Sequence, residues 1–177
     1  GTQFNGRALV NELARCGHEV FVCNRGRTPG ELPRGVQRLV ADRTDASALR
    51  AALGQHDWDC VHDVNAYRVE DVQRMTELLR GRTGHYVFVS STVIYAASDR
   101  LPIGEDHPLD RSPQQNEYGR KKIECEDLLV REHRERGRER GGVAAAGHQP
   151  LHAGGQLARR AAAVAHRDVV AGARELR

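Results

Sequence analysis

The sequence predicts an α/β fold built on a doubly wound, mainly parallel sheet. Three observations predict it. Short apolar runs suited to buried strands alternate with stretches of helical period. The intervening helices are about ten residues long, as expected of right-handed crossovers between parallel strands. The chain also opens on a glycine-bounded turn that leads into a helix, Gly1-Thr-Gln-Phe-Asn-Gly6.

Each element has a local reason. Residues 6–16 carry Leu9, Leu13 and Cys16 at helical spacing and stop at Gly17. Residues 19–23 form a short buried strand closed by Asn24-Arg-Gly-Arg27. After a polar loop with Pro29 and Pro33, residues 36–40 give the next strand, which ends at Asp42. Residues 45–53 are helical and stop at Gly54; residues 58–64 return to strand. Val72, Met75 and Leu79 mark one face of a helix over 69–80, and a further strand covers 85–89. Residues 96–117 are polar, contain Pro102, Pro108 and Pro113, and read as a loop over the sheet edge. Helix resumes near Pro113 or Glu117 and runs to about residue 136. No strand stands before the opening turn, so the sheet is expected to be incomplete, lacking its first strand. The first strand of a doubly wound sheet lies at the centre of the order 3-2-1-4-5-6. A marginal or inactive fragment is therefore the expectation.

Composition divides the chain at about residue 130. Residues 1–130 hold 17 Lys+Arg and 19 Asp+Glu, whereas residues 131–177 hold 10 and 5. The tail has 11 Ala, 10 Arg and 7 Gly but no Ile, Phe, Tyr, Trp, Met, Cys or Lys, so it lacks the β-branched or aromatic run of a further parallel strand. Residues 1–130 are thus expected to form the domain, and 131–177 a poorly packed tail. Residues 154–177 could be helical on propensity alone. The abrupt change of composition also resembles translation of a high-GC gene in another frame. Cys16, Cys23, Cys60 and Cys125 form no close pair, and the first three sit among apolar residues, which favours a reduced cytoplasmic setting. No apolar run reaches membrane-spanning length, and no secretory pattern occurs.

The chemistry centres on Tyr118-Gly-Arg-Lys-Lys122, 27 residues after Ser91. A tyrosine and a lysine four residues apart share one helix face. A phenol holds its proton near neutral pH, and a neighbouring ammonium favours the phenolate needed for general acid–base work. Ser91 follows the apolar run Val87-Phe-Val and would hydrogen-bond a substrate oxygen, with Thr92 as a neighbour able to share that role. Ser90 reads as a backbone cap and Tyr95 as a packing aromatic. Gly1, Thr2, Gln3, Phe4 and Gly6 would place backbone N–H groups against a pyrophosphate.

Asn24, Arg25 and Arg27 end the next strand without the acid that would accept both ribose hydroxyls of NAD, and guanidinium groups suit a 2′-phosphate. The cofactor reading is therefore NAD or NADP, tilted toward NADP. Asp42, followed by Arg43, could accept the adenine amino group or simply cap its turn. His62 and Asp63 alternate across a strand and so do not form a metal pair. The charged run 131–140 mixes Arg with Glu132, Glu135 and Glu139 and lacks a stacking aromatic, so it reads as a solvated charged helix and not as a nucleic-acid contact.

Together with Asp42-Arg-Thr-Asp45, Glu105-Asp106, and Glu124 and Glu126, these motifs resemble the extended short-chain dehydrogenase/reductases of the NAD-dependent epimerase/dehydratase family. The resemblance covers residues 1–130. It implies a Rossmann-like domain, bound NAD(P), Ser91, Tyr118 and Lys122 as the catalytic trio, and hydride transfer at a carbinol or carbonyl carbon. A small-molecule substrate, often a nucleotide sugar, is implied as the partner, and a homodimer is compatible with it. Gln3 stands where most members have glycine, and with Asn24-Arg-Gly-Arg27 it resembles an atypical branch that includes RNA-binding members. The alternative is therefore a non-catalytic nucleotide- or RNA-binding protein on the same scaffold.

Overall fold

The computed structural model describes residues 4–27, 31–104, 106–139 and 169–173. Its elements in chain order are α1 (Phe4–Arg15), β1 (Phe21–Asn24), β2 (Gln37–Val40), α2 (Ala46–Leu53), β3 (Trp58–Asp63), α3 (Val69–Leu78), β4 (Thr83–Phe88), a short 3-10 turn (Thr92–Ile94), α4 (Glu117–Glu139) and β5 (Val169–Ala173). The chain is an incomplete doubly wound α/β fold of the Rossmann-like kind, in which no strand precedes α1 among the described residues.

Two parallel pairs make the body of the sheet: β1 with β2, and β3 with β4. The full strand order is β2-β1-β5-β3-β4. β5 runs antiparallel to both neighbours, with Val22 opposite Val170 on one side and His62 opposite Val170 on the other. The expectation that the tail lacks a further parallel strand is not at issue, since this strand is antiparallel, but the helix that propensity allows over 154–177 gives way to strand over Val169–Ala173. The inner edges of β1 and β3 carry backbone N–H and C=O groups that need partners, and a ladder satisfies them. Local propensity therefore yields to tertiary hydrogen bonding over these five residues. The remainder of the tail, 140–168 and 174–177, lies outside the described residues.

The chain divides into two compact units. The first contains the sheet and most of the helical layer, including Glu70–Val89. Its core is aliphatic and aromatic: Val10 from α1, Val20 to Cys23 along β1, Leu49 and Leu53 from α2, Trp58 and Val61 from β3, and Met75 and Leu79 from and just after α3. β1 is buried at all four positions, which explains its continuous apolar run. Trp58 packs edge-on to Phe21 with centroids 5.3 Å apart, and its indole N–H donates to the Leu53 carbonyl at 3.0 Å. Asp45 caps α2 by accepting from Ser47 N and Ala48 N, both at 2.9 Å. Gly17 (φ 80°) turns the chain out of α1, a conformation that an L side chain resists. Cys16 lies beyond that helix and is exposed beside Glu12 and Arg15, not in the apolar setting expected of it.

The second unit comprises Tyr67–Val69 and the described residues from Ser90 onward through α4. The 3-10 turn packs on α4, and Ile94, Ile123, Cys125 and Leu128 are buried. A bridge between Tyr95 and Leu109 folds the polar loop back on itself. Tyr95 packs edge-on to His107 at 6.1 Å, as expected of a packing aromatic.

Candidate active site

The first turns of α4 hold the phenol and ammonium. Asn116 starts the helix, its Oδ1 accepting from Gly119 N at 2.8 Å, and so satisfies one of the amides a helix start leaves free. Tyr118 is 46% exposed and Lys122 only 2% exposed. Lys122 Nζ lies 5.7 Å from the centroid of the Tyr118 ring, within cation–π range. One row of the helix therefore carries a solvent-facing phenol over a buried cation. The adjacent row pairs Lys121 Nζ with Glu117 Oε1 at 2.5 Å.

Ser91 precedes the 3-10 turn in extended backbone, and its Oγ accepts from Val93 N at 3.4 Å. That bond uses a lone pair and leaves the hydroxyl proton available to an outside acceptor. The cap expected of Ser90 falls instead to Ser91, while Ser90 Oγ is buried without a hydrogen-bond partner among the described residues. Thr92 lies within the turn and is exposed.

Gln115, buried and absent from the sequence-based candidates, joins the turn to α4: its Nε2 donates to the Val93 carbonyl at 2.8 Å and its Oε1 accepts from Asn116 N at 2.8 Å. Gly119 makes room for it, since a Cβ there would stand 2.5 Å from Gln115 Oε1. The guanidinium of Arg120 donates to the Gln115 carbonyl. Only the asparagine before a helix was a usable sequence signal for this arrangement.

The residues read as cofactor-binding fall in the first unit. Gly1, Thr2 and Gln3 lie outside the described residues. Phe4 begins α1, and Gly6 is buried within its first turn. Asn24 is buried; its Oδ1 accepts from Gly26 N at 2.8 Å and from Arg38 at 3.2 Å. It therefore shapes the turn, in which Gly26 adopts φ 69°, and brings in Arg38, a cation not singled out in the sequence. Arg25 is half-buried, 3.9 Å from Asp42 Oδ2, and Arg27 is exposed.

Asp42 Oδ1 accepts from Thr44 N at 3.0 Å and Thr44 Oγ1 at 2.8 Å. These bonds, the backbone one first, hold its carboxyl below the usual range, with Arg25 and Arg27 adding to the effect. The turn-cap role is thus present while Oδ2 faces the arginine.

Arg43 is used differently. Its guanidinium donates to both oxygens of Asp63, at 3.2 and 2.7 Å, and its Nε stands 3.4 Å from Asp71 Oδ2 without a hydrogen bond. Asp63, fully buried, also accepts from Tyr86 OH at 2.9 Å and from Asn65 N and Ala66 N at 3.3 and 3.1 Å. Arg74 spans Asp71 at 3.4 Å and the Arg43 carbonyl at 2.9 Å. Burial works against the charge on Arg43, but the Asp63 and Asp71 carboxylates more than compensate and raise its pKa. Residues 20 or more apart in sequence meet here, and no motif announces them.

On β3, Asp63 and His62 take opposite faces as strand alternation requires. His62 Nε2 is 3.4 Å from Cys60 Sγ. Burial pushes the Cys60 thiol up to about 11, with Asp59 contributing, and lowers the His62 pKa. This pair consists of a neutral thiol and a neutral imidazole rather than an activated nucleophile. Among the described residues no group of three or more His, Cys, Asp or Glu side chains could hold a metal ion. No helix among them is long and apolar enough to cross a membrane.

Fold and local chemistry define a class: an open α/β scaffold of the NAD(P)-binding, oxidoreductase-like kind, carrying a tyrosine–lysine helix. Residues 1–145 match the model of the NAD dependent epimerase/dehydratase family, and the chain belongs to that family. Members of it generally bind NAD(P). The chain is 30% identical over 142 residues to the chloroplast stem-loop binding protein of 41 kDa b from Arabidopsis thaliana. That match covers 73% of this chain and 36% of the plant protein's length.

Proposed function

We propose that the chain is an NAD(P)-dependent epimerase, dehydratase or reductase acting at a carbinol or carbonyl carbon. The observation that carries this reading is Lys122 Nζ set 5.7 Å from the Tyr118 ring on α4, in a member of this family. The residues present suit a dinucleotide. The start of α1 offers backbone amides, the Asn24–Gly26 turn presents Arg25 and Arg27, and Asp42 keeps one carboxylate oxygen outside its own turn. Arg43, committed to Asp63 and Asp71, would support the neighbouring Asp42 instead of touching the cofactor. The arginines favour NADP over NAD. When bound, the dinucleotide supplies or accepts the hydride.

This chain's own groups would handle the proton. Tyr118 would give or take it at the substrate oxygen, Lys122 would favour the phenolate and hold the nicotinamide ribose, and Ser91 would donate its free hydroxyl proton to the same oxygen. A nucleotide sugar is the favoured substrate class. The test is NADPH and NADH binding, followed by cofactor turnover with nucleotide sugars and simple ketones. NADPH binding together with turnover that Tyr118→Phe abolishes supports the proposal; absence of any dinucleotide binding refutes it.

A second reading is a non-catalytic RNA-binding protein. It is favoured by the name of the plant relative and by two exposed tyrosines in ring contact, Tyr67 beside Lys121 and Tyr118 beside Lys122. Aromatic faces with nearby cations stack unpaired bases. It predicts hairpin-RNA binding that falls with salt and needs no dinucleotide.

A further inference from the structure

The family motif assigns no task to Lys121 or Tyr67, yet the structure sets Tyr67 against Tyr118 and Lys121 against Tyr67. The Tyr67 and Tyr118 ring centroids are 6.2 Å apart with planes tilted by 40°, inside the range of favourable aromatic pairs. Lys121 Nζ lies 5.8 Å from the Tyr67 centroid and is fixed at its other side by Glu117 at 2.5 Å. Two helix rows, Glu117 with Lys121 and Tyr118 with Lys122, are thereby bridged across their tops by one aromatic ring. Among the described residues no hydrogen bond holds the Tyr118 hydroxyl, so the phenol is oriented through its ring. An exposed tyrosine with a single ring contact would sample several staggered rotamers, and a second contact selects among them.

We propose that Tyr67, steadied by Lys121, is a positioning residue for Tyr118: its ring fixes the plane in which the phenol meets a substrate. The importance of this role rests on Tyr118 being the acid–base group, but the positioning can be measured without substrate or cofactor.

Fluorotyrosine labelling gives four resonances, one for each tyrosine in the chain, and Tyr118→Phe identifies the Tyr118 signal. Tyr67→Leu is expected to move that signal toward its position in the unfolded chain. Tyr67→Phe, which keeps the ring, should leave it in place. Lys121→Met should move the Tyr67 and Tyr118 signals together. The proposal is overturned if the Tyr118 signal ignores Tyr67→Leu in a protein with unchanged thermal unfolding, if Tyr67→Phe moves it as far as Tyr67→Leu does, or if Lys121→Met moves Tyr67 alone. Should Tyr67→Leu unfold the protein, Lys121→Met decides. Failure of NADPH binding would refute the enzyme reading and leave this result standing.

Discussion

Arg43, with its side chain 11% exposed, and Lys122, buried, are two enclosed cations, but the first unit surrounds one with carboxylates while the second unit sets the other beside a phenol ring. Asp63 meets Arg43 through two oxygens and also receives Tyr86 and two backbone amides, so every group in that cluster has its geometry set by others. Such a cluster organises the backbone. Its members cannot approach a ligand without leaving a buried charge behind, which is costly. At α4 the phenol above Lys122 is exposed and its hydroxyl is uncommitted among the described residues. A cation enclosed by carboxylates and amides builds structure, whereas an exposed phenol whose hydroxyl is uncommitted among the described residues is open to a ligand.

The strongest way to break this contrast is Asp63→Ala, which strands Arg43 in the interior. It should cost about 3–5 kcal/mol in denaturant unfolding. Asp63→Asn should cost less because its amide oxygen still accepts from the backbone. Tyr118→Phe should behave in the opposite way: turnover falls by at least about 10²-fold, equivalent to about 2.7 kcal/mol in the barrier, while unfolding changes by less than about 0.5 kcal/mol because the side chain is exposed. Stability loss from Tyr118→Phe comparable to that of Asp63→Ala would erase the distinction.

A smaller effect is expected at the helix start. Asn116→Ala removes the cap on Gly119 N and should cost about 1 kcal/mol, with Asn116→Asp restoring most of it. Amide exchange at Gly119 is the local readout.

The smallest effect is on pH dependence at β3. Burial lowers the His62 pKa from its ordinary 6.5, so the unfolded chain takes up the proton first. Stability is then fully present above that value and declines as pH falls below it. The unfolding midpoint followed from neutral to mildly acidic pH should drop less in His62→Gln than in the parent chain.

The strands and helices of the first 139 residues were readable because each has a local cause. The apolar run Val20–Cys23 made β1, Asp45 and Gly54 bounded α2, and Val72, Met75 and Leu79 marked the inner face of α3 and the residue after it. Tyr118 and Lys122 were readable as a pair because helical spacing alone brings them together. The engagement of Arg43 was not legible because its two acidic partners come from other elements. The cap was expected of Ser90 and is made by Ser91, because a hydroxyl's partner depends on how the next turn folds.

Periodicity, caps and i,i+4 spacing are properties of neighbours along the chain, so the sequence by itself determined the α/β alternation, the order of strands and α-helices through α4, and the phenol–lysine row. Strand order and long-range partners depend on which surfaces meet. Only the tertiary structure decided that β5 lies antiparallel between β1 and β3, that Asp63 engages Arg43, and that Tyr67 rests against Tyr118. The physical reason is that buried edges and charges take partners from wherever the fold brings them, at sequence separations that local patterns do not encode.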